Sequence, residues 1–472
     1  MNKSFFIVTG VFILTAITLN YLIKNPVFKN HEEQAKFYLK INQPDEAEKC
    51  YLKLIQTDSF NIDYHHQYII NHFNIPKLIR QGKSNFVSRN DQKIYDYYYQ
   101  KTLLDNTVQN DIGYYGMGLI DSYADHNSNA INNFNNVSNP SLKYLNNSMG
   151  YIYKESHHYN SAVRYFYIEI ENKGNLDGAY NNIAEICIEI RKTAFLQKYM
   201  SDSAIHKYIT YNNSRVAYYL LGMPSGYIKT VLKRFTGNVN SSGFLGAFII
   251  LVCWLFFLQQ IDIYEKEKWI YLLLTCCMGM LFTFGTFIIT DFLNESLQFK
   301  LNGNLLNDFF YCVFGIGSVE ELLKFIPVII MMKFSKQINE PIDYIIYASA
   351  SALGFAFIEN LMYFNESSLY LIHIRALSAV ITHMFNSSLI AYGIILWRYK
   401  NGGDKYAYLL FAYLIASASH GFYDFWLLSD SVNSLSIVTI VFMLFTFIMY
   451  NTFISNALNN SSYYDYKNRR ND

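Results

Sequence analysis

Charge is scarce in these 472 residues: only 16% are Asp, Glu, Lys or Arg, against the roughly 25% usual for soluble domains. A single water-soluble domain is therefore not expected. Thirty-eight basic residues against 37 acidic ones leave a net charge of +1, so there is no basic field to gather nucleic acid. Seven prolines and 23 glycines are few for this length, which disfavours β-sandwiches and collagen-like chains and favours long helices. The cysteines Cys50, Cys187, Cys253, Cys276, Cys277 and Cys312 form neither a metal-ligand spacing nor a disulfide framework. They are expected as small buried apolar residues, with a Cys50–Cys187 bridge as the alternative.

What the chain does have is apolar length. Residues 5–23 are apolar behind Lys3, long enough to cross a bilayer core of about 30 Å at about 1.5 Å per residue. No small-x-small cleavage site follows them, so residues 1–23 read as an uncleaved signal anchor rather than a signal peptide. From about 243 onward seven apolar runs follow, at 244–259, 269–290, 308–332, 343–364, 371–397, 406–428 and 434–454. Ten cations of the short connections fall on one side: Lys266, Lys268, Lys333, Lys336, Arg398, Lys400, Lys405, Lys467, Arg469 and Arg470. That side is expected to be cytoplasmic. Eight spans then place both termini inside, residues 24–243 outside and 456–472 as a cytoplasmic tail, in an integral protein of a bacterial cytoplasmic membrane.

The polar stretch between anchor and spans has a helical period and a faint repeat. Ala35, Tyr38, Ala47 and Tyr51 recur in offset as Gly118, Ala130 and Phe134, then as Gly150, Tyr153, Ala162 and Phe166. Offsets of 3, 9 and 4 resemble a tetratricopeptide helix pair, in which small residues let two helices approach and an aromatic fills the next groove. A generic helical bundle is the alternative, since the array's proline is absent. The expected class is all-α: an N-terminal membrane anchor, a tetratricopeptide-like helical domain over 24–243, and a polytopic membrane domain of seven spans over 244–455.

Ionisable side chains within apolar spans cost several kcal/mol unless paired or hydrated, so each is a functional candidate. The third run holds Glu320, Glu321 and Lys324, the fourth Glu359 and Asn360, the fifth Arg375, Thr382, His383 and Asn386, and the sixth Ser417, His420 and Asp424. At about 100° per residue, Ser417, His420 and Asp424 fall within roughly 60° of arc, and the polar groups of the fifth run within roughly 140°. Glu320 and Lys324 are one turn apart, so the lysine can hold one carboxylate while Glu321 projects elsewhere. The bland alternatives are interhelical hydrogen bonds for a lone histidine and counter-ion duty for Lys324 and Arg375. Asp424 either orients His420 or pairs with Arg375. Four carboxylates against two fixed cations leave an excess of −2, relieved by protons or by a divalent cation. Two histidines and a glutamate can ligate zinc while a second glutamate activates water. Without metal, a glutamate serves as base and the histidines stabilise the oxyanion.

Glu-Glu-x-x-Lys at 320–324, Gly-Phe-x-Phe-x-x-Glu-Asn at 354–360, Arg375 through His383, and His420-x-x-x-Asp424 stand in order on separate runs. Together they resemble the PrsW family of intramembrane proteases, a branch of the group containing the CAAX-prenyl endopeptidases and Abi proteins. The likeness covers about 245–455 and is densest over 317–426. It implies cleavage, within or beside the bilayer, of a membrane-anchored protein such as an anti-sigma factor. Carried over motif by motif, it makes Glu320, Glu321, Glu359, His383 and His420 catalytic, with Lys324, Asn360, Arg375 and Asp424 in support. A zinc ion, where one is held, falls to Glu359, His383 and His420; family members are described both as glutamic and as metallopeptidases. The wider group has histidine where this chain has Glu359, and tends to arginine at Lys324. The tetratricopeptide-like region exceeds the minimal family pattern and is expected to recruit a protein partner or substrate. The alternative from another class is a transporter or channel whose polar stripes line a pathway, although the seven runs show no inverted repeat. A third reading is an inactive membrane anchor for the helical array.

Overall fold

A computed structural model of the chain describes residues 27–40, 43–73, 89–236, 241–263, 265–366, 379–399, 405–429 and 436–460, with Gly10 and Ile17 besides. Most of the expected anchor, Arg375 and the tail beyond residue 460 lie outside the described residues. Among the described residues the chain is helical, with no strand. It divides into two compact units, Val27–Gly237 and a second that contains Asn238–Asp472.

The first unit holds α1 (His31–Lys40), α2 (Pro44–Thr57), α3 (Ile62–Phe73), α4 (Arg89–Thr102), α5 (Thr107–Tyr123), α6 (Asn127–Asn135), α7 (Leu145–Glu155), α8 (Tyr159–Glu171), α9 (Leu176–Glu189), α10 (Thr193–Ser201), α11 (Ser203–His206), α12 (Tyr211–Leu220) and α13 (Pro224–Thr236). Consecutive helices pack on one another, α1 with α2, α4 with α5, α5 with α6, α7 with α8 and α12 with α13. A side chain on Gly118 would run into the Phe134 ring, and one on Gly150 into the Phe166 ring. Those glycines let α5 meet α6 and α7 meet α8 with the aromatic ring laid against bare backbone. Five connections close alike. Asp125, His157, Lys173, Arg191 and Gly222 take left-handed φ values of 59°, 57°, 53°, 56° and 62°. The next N–H then returns to a carbonyl five residues back: His126 to Asp121, His158 to Tyr153, Gly174 to Glu169, Lys192 to Cys187 and Met223 to Tyr218. This closure satisfies carbonyls that the helix end leaves bare.

A charged clamp ties three helices of this unit together. His72 Nδ1 on α3 lies 3.1 Å from Glu48 Oε1 on α2, and its Nε2 lies 2.8 Å from Asp91 Oδ1 on α4. Burial opposes a charged imidazole here, but hydrogen bonds to the two carboxylates outweigh it and hold the His72 pKa above its ordinary 6.5. Because the folded value is the higher one, the clamp's stabilisation is complete below about pH 6.5 and disappears as pH rises through the folded value. Amide exchange in α2, α3 and α4 should therefore quicken as pH is raised through that window in the full chain. In His72→Leu the exchange, corrected for its intrinsic pH dependence, should stay level.

The second unit holds α14 (Ser241–Ile261), α15 (Trp269–Asp291), α16 (Leu305–Phe310), α17 (Ser318–Phe334), α18 (Pro341–Glu366), α19 (Val380–Tyr399), α20 (Lys405–Leu428) and α21 (Ser436–Asn459), with π-helical turns at Phe292–Ser296 and Tyr311–Gly317. Among the described residues, five helices are long and apolar enough to cross a membrane: Gly243–Ile261, Trp269–Ser296, Pro341–Tyr363, Val380–Tyr399 and Val441–Asn459. The expected runs at 308–332 and 406–428 are helical too, but they carry Glu320, Glu321 and Lys324, and His420 and Asp424. The chemistry they hold dilutes the apolarity of which a span is made. Leu281, Ile288, Leu410, Phe411, Val441 and Ile448 are exposed large apolar side chains, as lipid-facing surfaces require. All six cysteines are free; Cys50, Cys187, Cys276 and Cys312 are buried, while Cys277 is exposed.

Two glycine crossings set the positions of the helices. A Cβ on Gly354 would strike the Cys276 carbonyl, and one on Gly279 the Ser351 carbonyl, so α15 and α18 touch backbone to backbone. Gly317 stands likewise against the Ser417 carbonyl, and Gly421 against Val313. This second crossing brings the start of α17 against the middle of α20. Because each clash is with backbone, Gly354→Val should destabilise the unit by roughly 1–3 kcal/mol, the range for overpacked sites. A lowered thermal midpoint in detergent is the readout.

Candidate active site

Glu320 and Glu321 open α17 immediately after the π-helical turn, where the Gly317 crossing holds the helix start against α20. Lys324 stands three residues beyond Glu321 and four beyond Glu320, and on a helix both spacings fall within reach of one ammonium. Its Nζ lies 2.9 Å from Glu321 Oε1 and 3.1 Å from Glu320 Oε2. The expectation that Lys324 holds one glutamate while the other projects elsewhere is corrected on this point. A third partner comes from α19: the same Nζ is 2.8 Å from His383 Nδ1. The Phe355 ring of α18 covers the ammonium at 4.4 Å from its centroid.

The two glutamates nonetheless differ. Glu321 Oε1 also accepts from His420 Nδ1 at 2.8 Å, and its Oε2 accepts from Ser387 Oγ at 2.9 Å. Its side chain is 0% exposed, as is that of Lys324. Glu320 is 12% exposed, Glu359 15% and Asp424 16%. Glu321, Lys324 and His420 thus form a dry rear wall, and Glu320, Glu359 and Asp424 the accessible front.

The imidazoles bridge wall and front. With Nδ1 donating to Glu321, His420 turns Nε2 forward, 3.5 Å from Glu320 Oε2 and 3.4 Å from Asp424 Oδ2. His383 points Nε2 at Glu359 Oε2, 2.9 Å away, and the two imidazole centroids are 5.2 Å apart. Glu320, Glu321, Glu359, His383, His420, Lys324 and Asp424 thus join in one chain of contacts. Asn360 and Thr382 are buried. Asn386 turns its amide oxygen to Ser419 Oγ at 2.7 Å, so one polar stripe serves both cluster and helix packing. Sequence reasoning missed Ser387 and Phe355. Ser387 lies one turn beyond His383, on the same stripe, and Phe355 lies inside the 354–360 motif; both spacings carried a signal.

Glu320, His383 and His420 each offer a ligand atom, and those atoms lie within 4.8 Å of one another. The residue types suit zinc. The protons do not: an ammonium only donates, so His383 Nδ1 must accept from Lys324, which leaves the ring proton on Nε2 facing Glu359. As arranged, His383 has no lone pair to give a metal, and the set does not fit one. A second acidic group, Asp262, Glu267 and Asp343, lies at helix ends. There Asp343 Oδ2 accepts the Asn339 and Glu340 N–H groups and caps α18.

A family model described as PrsW family intramembrane metalloprotease matches residues 267–450. The Protease PrsW of Clostridioides difficile (strain 630) is 31% identical over 195 residues, which are 40% of this chain and 79% of that protein. That of Geobacillus kaustophilus (strain HTA426) is 27% identical over 168 residues, covering 35% and 71%. That of Bacillus subtilis (strain 168) is 25% identical over 164 residues, covering 35% and 72%. No solved structure matches the chain. The matched segment takes in all of Glu320 through Asp424, and with four fifths of a named relative covered, this chain belongs to the PrsW family of intramembrane proteases.

Proposed function

We propose that the chain is an endopeptidase that cleaves a membrane-anchored protein, such as an anti-sigma factor, within or next to the bilayer, using water activated by Glu320. The observation that carries this reading is the difference between neighbouring glutamates: Glu321 is sealed at 0% exposure with both oxygens engaged, and Glu320 is 12% exposed at the front. A base must reach water, and Glu320 does so with only its Oε2 held by Lys324. Glu320 takes a proton from water as the water oxygen adds to the scissile carbonyl carbon. With Nδ1–H held by Glu321 and a second proton on Nε2 beside Glu320 and Asp424, a His420 imidazolium faces the reacting centre and donates to the oxyanion. Collapse of the adduct breaks the C–N bond, and Glu320 returns the proton to the departing nitrogen. Glu359 and His383 line the same front, and Asp424 holds the His420 ring from its outer side. Glu321 is a positioning residue that orients the His420 ring through Nδ1–H and favours its protonated form.

In this reading the seven apolar runs all cross the membrane, within the wider CAAX-prenyl endopeptidase and Abi group. Residues 1–23 anchor the chain, both termini are cytoplasmic, and residues 24–243 form an extracytoplasmic tetratricopeptide-like platform that presents substrate to the protease domain. Purified full-length protein in liposomes with single-span peptides is expected to cut them and to yield two fragments by mass spectrometry. Intact peptides together with solute flux across the vesicles would replace the peptidase reading with a transporter.

A further inference from the structure

The family description carries a metal, and the arrangement around Lys324 disagrees with it. Resting on the peptidase reading, we propose that the Lys324 ammonium is the site's resident cation, fixing His383 as a proton donor to Glu359, and that the protease works without a bound metal ion. Lys324 is thereby a positioning residue.

An ammonium has three N–H groups and accepts nothing. At Lys324 three acceptors stand within reach: His383 Nδ1 at 2.8 Å, Glu321 Oε1 at 2.9 Å and Glu320 Oε2 at 3.1 Å. The ring of Phe355 closes another side, and the side chain is wholly buried. Lys324 is therefore fixed in place with its hydrogen-bonding capacity filled. Two of these contacts constrain groups that a metal would need. At Glu320 the ammonium already holds Oε2. At His383 it demands the Nδ1 lone pair, and the neutral ring must then carry its proton on Nε2, where Glu359 Oε2 receives it at 2.9 Å. A metal ligand nitrogen must be bare. To recruit His383 the protein would have to strip a second proton from the imidazole or discharge a lysine that two carboxylates hold. The cation that such an acidic cluster needs is already supplied by the chain, one helical turn from the glutamates it serves.

Metal content and cleavage are measured on the same full-length preparation in lipid. The wild type is expected to hold no stoichiometric zinc after dialysis and to cut the peptide unchanged in the presence of a strong chelator. With ¹⁵N-labelled histidine, the His383 signals, assigned by their loss in His383→Gln, are expected to show a bare Nδ1 and a protonated Nε2. Lys324→Met keeps the length of the side chain and removes its donors. It is expected to free the donor set, so that the variant takes up zinc on titration and loses that uptake when His383→Ala is added. A wild type that carries one zinc per chain, loses cleavage on chelation and regains it with zinc overturns the proposal. So does a His383 ring with its proton on Nδ1. The wild-type measurements stand whether or not the Lys324 variant folds. A zinc-dependent peptidase ends this inference alone, whereas a wild type that cuts no peptide ends the reading on which it rests.

Discussion

Glu320→Gln is expected to lower kcat for peptide cleavage about a thousandfold, the middle of the range for loss of a general base, and to leave KM and the thermal midpoint near those of the wild type. Glutamine keeps the shape and can still accept from Lys324 through its amide oxygen, so the rear wall of Glu321, Lys324 and His420 has no reason to move. What disappears is the group that takes a proton from water. A fall confined to kcat reports an interaction made only in the transition state. A variant that retains wild-type kcat would move the base to Glu359 or Asp424, the other carboxylates at the accessible front. A variant that unfolds would mean that Glu320 carries structural weight its 12% exposure does not indicate.

The convergence of the site is legible from polar stripes on separate helices, and its internal division of labour is not. Helical spacing puts His420 and Asp424 on one face and leads to the 3.4 Å contact between them. It also places Lys324 within reach of both glutamates, yet spacing along one helix says nothing about what arrives from the others. Glu321 becomes the buried partner because Ser387 and His420 come to it from α19 and α20, and that approach depends on Gly317 and Gly421 lying against bare backbone. Sequence shows a glycine; it does not show which helix fills the space. The same limit applies in the first unit. The pairs Gly118 with Phe134 and Gly150 with Phe166 stand out by offset, and the structure seats each ring on its glycine. The recurrent left-handed closures were hidden, because Asp125, His157, Lys173 and Arg191 share no chemistry and are united only by backbone geometry. Span counting meets a related limit. Charged and polar side chains lower the apolarity of the two helices with the most chemistry, so α17 and α20 are not among the five helices of the described residues that are long and apolar enough to cross.

Glu321→Leu is expected to destabilise the second unit by about 3–5 kcal/mol, the cost of removing one partner from a buried charge pair. The lysine is left at 0% exposure with the Glu320 carboxylate at 3.1 Å, while His420 Nδ1 and Ser387 Oγ lose their acceptor. The double variant Glu321→Leu with Lys324→Met replaces the pair by apolar groups of similar bulk. Such replacements are often neutral or better for stability, so thermal midpoints in detergent should recover most of the loss. Cleavage should not recover with them. Without Glu321 the His420 ring loses the acceptor that holds its Nδ1–H, and without Lys324 Glu320 Oε2 loses its ammonium and His383 the donor that sets its tautomer. Stability restored with activity still absent separates a positioning role from a structural one. If both return together, Glu321 and Lys324 are only packing. If stability stays low in the double variant, the pair contributes to folding through contacts other than their mutual charge. Glu321→Gln adds a finer arm: it keeps an acceptor for His420 and removes the full charge, so it should lie between wild type and Glu321→Leu in stability and retain part of the cleavage.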